Sequence, residues 1–238
     1  MTLWGRALVL AFTLCLVSHS IGAETSKQCL EAASLWIPQD DPTAPTTKWN
    51  RAVGYEIDAH DSDASVVPLI KDSLRTRSEE TGLKIAPGSG LGVDLLIAVF
   101  PDISMLATPE LRNSVANYLD DYYRKRGDQG HFKINTALWD SSFRNVAPRC
   151  FGVTLTSQQV RERAFLAIQK DGSAACISVG LAEILGLGNL RKYYRDHDHA
   201  DLSKLIGVGL RTLYDDRISV GMNALEARSK LGEICDGR

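Results

Sequence analysis

The sequence predicts an α+β domain, a mixed sheet with helices packed on it, and three observations carry that expectation. Apolar residues alternate with polar ones at Val53, Tyr55 and Ile57, the mark of a half-buried strand. Residues 93–100 form a nearly unbroken apolar run, as a strand covered on both faces requires. In the second half, Leu202, Leu205, Ile206, Leu210 and Leu213 recur at helical spacing. Strands concentrated early and helices late suit α+β better than a regularly alternating α/β chain.

The elements follow in order. Residues 26–36 read as a short helix with Leu30, Ala33 and Ile37 on its apolar face. Residues 38–47 hold three prolines and read as a linker or arm. Residues 64–80 carry Val67, Ile70 and Leu74 on one face, and Thr81-Gly82 stops that helix. Gly88-Ser89-Gly90-Leu91-Gly92 precedes a strand rather than following one, so it is a turn and not a phosphate cradle. Thr108-Pro109-Glu110 opens a helix with a cap, a first-turn proline and an early acid, and Gly127 ends it. Residues 151–155 and 164–168 are expected as strands, although the second run also fits a buried helix. Residues 176–187 form a helix with Ile177, Leu181, Ile184 and Leu185 as its apolar face. Asn223-Ala224-Leu225-Glu226 starts the last helix with a capping box.

Residues 1–23 have the order of an export signal. Arg6 is their one charge, residues 7–17 are apolar, and small Ala23 closes a cleavage site at Ile21-Gly22-Ala23. An uncleaved anchor is the alternative, but the apolar run is too short to span a bilayer as a helix. The remaining chain carries 26 basic and 29 acidic residues, a net charge of −3, which argues against nucleic acid or an anionic membrane as partner. No second long apolar run occurs, so no stable membrane insertion is expected once the signal is removed. Residues 24–47 are then an N-terminal helix and linker, and residues 48–238 one domain.

Cys15 leaves with the signal, and Cys29, Cys150, Cys176 and Cys235 remain. An even count in an exported protein favours two disulfides. Of three connectivities, Cys150–Cys176 and Cys29–Cys235 are favoured. The first ties a strand start to the head of a helix, and the second ties the first helix to the last. A zinc pair at Cys150 and Cys176 finds no C-x-x-C spacing or neighbouring histidine in its support.

Residues 176–189 read C-I-S-V-G-L-A-E-I-L-G-L-G-N. The outline resembles the active-site helix of metzincin proteases, H-E-x-x-H-x-x-G-x-x-H. With the pattern's glycine on Gly186, its histidines fall on Val179, Glu183 and Asn189 and its glutamate on Gly180. Valine cannot ligate zinc, and glycine cannot take a proton from water. Further segments widen the resemblance: Lys48-Trp49-Asn50, Thr81-Gly82-Leu83, Leu185-Gly186-Leu187-Gly188-Asn189, then Leu210-Arg211-Thr212-Leu213-Tyr214-Asp215 and Gly221-Met222. In this order, over residues 48–232, they resemble an uncharacterised bacterial secreted family, domain of unknown function two-nine-two-seven. That resemblance implies a zincin-like fold whose active-site helix is degenerate. It places Met222 where a Met-turn would lie. Members often carry two glutamates where this chain has Val179-Gly180, so the chain departs from the family as well as from the proteases.

These readings imply a catalytically silent, exported binding protein without a cofactor. Glu183, Asn189 and Met222 are the candidate cleft residues, and the partner is a peptide or an envelope protein, with an extended peptide able to add to a sheet edge. Two rivals stand beside it: a structural envelope protein, and a metal-dependent hydrolase built on His197 and His199 with a carboxylate. The bland reading of Asp196-His197-Asp198-His199 is a solvated loop, with Asp198 or Asp201 capping the next helix. His60 sits in an acidic loop lacking the glycine and terminal glutamate of an EF-hand, and His131 stands alone. Replacing Gly180 by glutamate is expected to favour the helix by several tenths of a kcal/mol if that position is exposed.

Overall fold

A computed structural model describes residues 26–59, 65–88, 92–125, 139, 149–188, 190 and 199–236. Residues 1–23, expected as an export signal, together with His60, residues 89–91, Gly127, His131, Asn189, His197 and Asp198 therefore lie outside the described residues. The elements are α1 (Ser26–Ala33), β1 (Val53–Asp58), α2 (Val67–Thr81), β2 (Ile85–Pro87), β3 (Leu95–Phe100), a 3-10 helix (Ile103–Ala107), α3 (Pro109–Lys125), β4 (Cys150–Ser157), β5 (Val160–Gln169), α4 (Ala174–Leu185), α5 (His199–Leu213) and α6 (Ala224–Asp236).

The chain is α+β, and the five strands among the described residues form one mixed sheet in the order β2-β1-β3-β5-β4. The first four are mutually parallel, and β4 pairs antiparallel with β5. Alternation along β3 and β5 sends side chains to two separate cores. Leu95, Ile97, Val99, Ala164, Leu166 and Ile168 face the larger one, which the helices α1, α2, α4, α5 and α6 complete. Ala98, Phe165 and Ala167 face the smaller one, with Leu106, Val115, Leu119 and Phe151. The two cores account for the unbroken apolar run in β3. Trp139 packs edge-on against Phe151 at 4.7 Å between ring centroids and donates to the Leu106 carbonyl at 2.8 Å.

Sequence patterning and structure differ at several points. Leu30 is 50 % exposed, and α1 instead buries Cys29, Ala32 and Ala33. The helix stops at Ala33 and continues as turns through Ile37. β2 escapes any periodicity argument because it is three residues long and ends in Pro87, which an edge strand tolerates. The β4–β5 hairpin turns on Gln158 and Gln159, both at positive φ, without the Asn-Gly or Asp-Gly signature such turns favour. His199 opens α5, so that helix begins three residues before its first apolar position, and Asp201 lies within its first turn.

Other expectations hold in detail. Gly82 ends α2 in the left-handed region at φ 69°. Asn223 and Glu226 exchange side chain-to-backbone hydrogen bonds at 2.9 and 3.3 Å, which completes the capping box. At the glycine-rich turn, a Cβ on Gly54 would sit 1.8 Å from the Gly92 carbonyl oxygen and one on Gly88 would sit 2.5 Å from it, so three backbone segments meet where no side chain fits. Cys29 is bonded to Cys235, joining α1 to α6, and Cys150 to Cys176, joining β4 to the first turn of α4. The proline-rich arm is held down: the Thr46 N–H donates to the Met222 carbonyl at 2.8 Å, and Arg228 donates to the Pro38 carbonyl at 2.6 Å.

Candidate functional site

The helix α4 carries the protease-like pattern, and its surroundings define the site. Ser173 caps its start, the side chain accepting from the Cys176 N–H at 3.2 Å. The middle of the helix faces the sheet. Gly180 is fully buried, and a Cβ there would stand 2.8 Å from Leu166 Cδ1 and 3.7 Å from Cys150 Cβ. The condition under which glutamate would favour the helix, exposure of position 180, is therefore not met, and the space a side chain would take is filled by Leu166. Val179 is half-buried against the larger core.

Gly186 ends the helix at φ 132°, a backbone state that a side chain would strain. Its N–H reaches the carbonyls of Ala182 and Glu183 at 3.0 and 3.2 Å. A Cβ would also lie 2.5 Å from Leu213 Cδ2, so the packing demands glycine as well. Gly186 thus turns the chain sharply off the helix.

The last carbonyls of a helix have no partner within it. Here side chains from three other segments take them. Arg161 on β5 donates from Nη1 to the carbonyls of Glu183 at 3.0 Å and Ile184 at 2.8 Å. Trp49 Nε1 donates to the Ile184 carbonyl at 3.2 Å, and the Tyr214 hydroxyl donates to the Leu185 carbonyl at 2.8 Å. Tyr214 Oη in turn accepts from the Trp49 N–H at 3.2 Å. A guanidinium at a helix C-terminus also meets the negative end of the helix dipole. Burial pushes the Arg161 guanidinium below its usual range, while Tyr214 and Glu183 pull the other way. Burial raises the Tyr214 phenol well above its usual value. Beside it Lys48 donates to the carbonyls of Leu213 and Ile218, and burial lowers its ammonium below the usual lysine range.

Two cavities flank the helix. One, of about 590 Å³, opens beyond its C-terminal end between Trp36, Thr47, Arg161, Gly186, Gly188 and Leu213. Asp40 and Asp41 stand on its acidic rim, and the Asp41 carboxylate, held below its usual range, accepts from the Thr43 hydroxyl and N–H at 2.7 and 2.9 Å. The other, of about 400 Å³, lies at the head of the helix against α2 and α5.

Of the cleft residues singled out from sequence, Glu183 and Met222 are described and Asn189 is not. Glu183 is half-buried, its carbonyl is held by Arg161, and it lines neither cavity. Met222 packs against the larger core from the turn before α6 and lines neither cavity. No group of three or more histidine, cysteine, aspartate or glutamate residues able to hold a metal occurs among the described residues. The donor set does not fit zinc either, since Val179 and Gly180 offer no ligand or base. Sequence reasoning missed Arg161, which sits in a strand of alternating charge and carries no motif. It quoted Trp49 and Tyr214 without foreseeing that both reach the same helix end. No family model matches the chain, and no curated protein and no solved structure matches it.

Proposed function

We propose that this chain is an exported, zincin-like binding protein without protease chemistry, which holds a peptide in the polar cavity at the exit of α4. The observation that carries the reading is the fate of the active-site pattern. The glycine that turns the chain is kept, and the position of the catalytic glutamate is filled by packing. The mixed sheet and its antiparallel β4, tied to α4 by a disulfide, also support a zincin-like arrangement. The two disulfides fit an oxidising compartment, and among the described residues no helix is long and apolar enough to cross a membrane.

The cavity suits the free amine of a peptide, for which Asp40 and Asp41 stand at its mouth. Arg161, already bonded to Thr47, Glu183 and Ile184, forms part of its wall. Gly188 gives a clean test. It lines the cavity, and nothing lies within 4 Å of the place a Cβ would take. Gly188→Phe should therefore keep the melting temperature while filling the cavity. A pool of free hexapeptides, with the bound fraction read by mass spectrometry, should enrich on the natural chain and not on Gly188→Phe. Equal enrichment on both proteins rejects the cavity. Stoichiometric zinc after dialysis, together with chelator-sensitive cleavage of a general peptide substrate, rejects the non-protease reading.

A further inference from the structure

The two disulfides differ in how a reagent can reach them. Cys29 and Cys235 are 1 % and 3 % exposed, so that bond is enclosed on both sides. Cys150 is buried at the start of β4, in the larger core, whereas its partner Cys176 is partly exposed in the first turn of α4. Of these four cysteines, Cys176 is the one open to attack.

Its place in the helix also sets its chemistry. The Ser173 hydroxyl accepts from the Cys176 N–H at 3.2 Å, which fixes the cysteine in the capped first turn. No acid occupies that turn. Arg149, which precedes Cys150, pairs with Asp171 at 3.4 Å, so the two add no net charge beside the bond. The positive end of the helix dipole is left to favour a thiolate at Cys176, which stabilises the reduced form of the pair. Cys150, surrounded by apolar side chains, has no such help.

Packing holds the two cysteines opposite each other whether or not they are bonded. Gly180, one turn beyond Cys176, brings the helix backbone onto the sheet: a Cβ there would stand 3.7 Å from Cys150 Cβ. Further along β4, a Cβ on Gly152 would stand 3.2 Å from Ile184 Cγ1. Ile177, Leu181 and Ile184 anchor the same helix in the core, and Arg161, Trp49 and Tyr214 hold its far end. Opening the bond therefore leaves one accessible thiol and one buried thiol facing each other, and the bond can form again.

We propose that Cys150 and Cys176 form a thiol–disulfide exchange site, whose oxidised form takes two electrons from the dithiol of a peptide or protein. A substrate thiolate attacks Cys176 Sγ, the Cys150–Cys176 bond breaks, and Cys150 leaves as a thiolate that takes up a proton. The second substrate thiol, once deprotonated, attacks the substrate sulfur of the mixed disulfide on Cys176. Cys176 then leaves as the thiolate that the helix favours. The substrate ends as a disulfide and the two cysteines as thiols, one exchange for each molecule. The site is independent of the peptide cavity at the exit of α4 and shares no lining residue with it.

The test uses the natural chain in dithiothreitol without denaturant, read by differential alkylation and peptide mass spectrometry, with circular dichroism alongside. Cys150–Cys176 should open at a dithiothreitol concentration about a hundredfold or more below that which opens Cys29–Cys235, with the helical signal kept. After that opening, iodoacetamide should label Cys176 about tenfold or more faster than Cys150. A reduced two-cysteine peptide mixed with the oxidised protein should be converted to its disulfide, one peptide for each Cys150–Cys176 bond lost. Opening of both disulfides together, loss of the helical signal with the first, equal labelling of the two cysteines, or a peptide left reduced overturns the proposal.

Discussion

The two ends of α4 solve the same problem in opposite ways. Every helix leaves unpaired carbonyls at one end and unpaired amides at the other. At the C-terminal end, Arg161, Trp49 and Tyr214 from three separate segments supply donors at 2.8–3.2 Å. At the N-terminal end, Ser173 satisfies one amide, Arg77 faces Glu80 at 2.7 Å, and the Ser178 hydroxyl is buried with no hydrogen-bond partner. The saturated end is built for stability, since its bonds cross-link the arm, the sheet and α5 onto the helix. The N-terminal end is less fully bonded, and the Ser178 hydroxyl is held there at a cost.

That contrast can be broken from the middle outward. Gly180→Glu should be the most damaging single change, costing about 3 kcal/mol or more, because it overpacks Leu166 and buries a carboxylate without a partner. Restoring the full pattern with Val179→His, Gly180→Glu, Glu183→His and Asn189→His should then yield an unfolded chain rather than a zinc site. Circular dichroism and metal content after dialysis check both outcomes, and a folded, zinc-loaded variant defeats the packing argument.

Arg161→Met should cost about 2–3 kcal/mol in urea denaturation, since it strips the charged donor from the Glu183 and Ile184 carbonyls. A loss below about 0.5 kcal/mol would mean that water replaces the guanidinium and the end is not sealed.

Tyr214→Phe should cost about 1–2 kcal/mol at neutral pH for its hydrogen bonds to the Leu185 carbonyl and Trp49 N–H. It also carries a pH signature. The folded phenol holds its proton beyond the ordinary value near 10, so above that pH the unfolded chain loses a proton the native one keeps. Tyr214 therefore makes stability fall as pH rises past about 10, by up to ~1.4 kcal/mol per pH unit. Lys48, lowered by burial, acts with the opposite sign below the ordinary lysine value, because the native chain gives up its proton first. The alkaline stability profile of Tyr214→Phe should be flatter than that of the natural chain. Parallel profiles would show that Tyr214 ionises freely in the fold.

Ser178→Ala should have the smallest effect, a change within about 0.5 kcal/mol and in the stabilising direction, because it removes a buried hydroxyl with no partner. A substantial loss of stability would mean that the hydroxyl is satisfied after all, and the difference between the two helix ends would shrink.

Much of the scaffold was legible in the chain because its signals are local. Gly82 and Gly186 mark helix ends through backbone freedom, Asn223 and Glu226 mark a helix start through reciprocal bonds, and the apolar run of β3 reports burial on both faces. The site was less legible because it is assembled across long separations. Trp49 meets Ile184 over 135 residues and Tyr214 meets Trp49 over 165, and no spacing rule links such positions. Arg77 illustrates the limit in another way. It occupies the helix stripe below Ile70 and Leu74, where the heptad-like pattern would call for an apolar residue. Its burial as a charge is a property of what α5 places opposite, which α2 alone does not encode. At Glu183 the sequence draws attention to the carboxylate, while the bond to Arg161 at the C-terminal end is made by the carbonyl.

The bond between Cys29 and Cys235 has a consequence for how this molecule can be made and taken apart. It spans 206 residues, against 26 for Cys150–Cys176, so all but short tails of the described chain lies inside one covalent ring. During synthesis the native ring cannot close until Cys235 has emerged, whereas the small loop can close while α5 is still being made. Once closed, the ring tolerates a cut: a protease that nicks a surface loop between those cysteines opens the circle into a line but releases nothing. The severed halves remain one molecule until a reductant reaches the link between the first helix and the last.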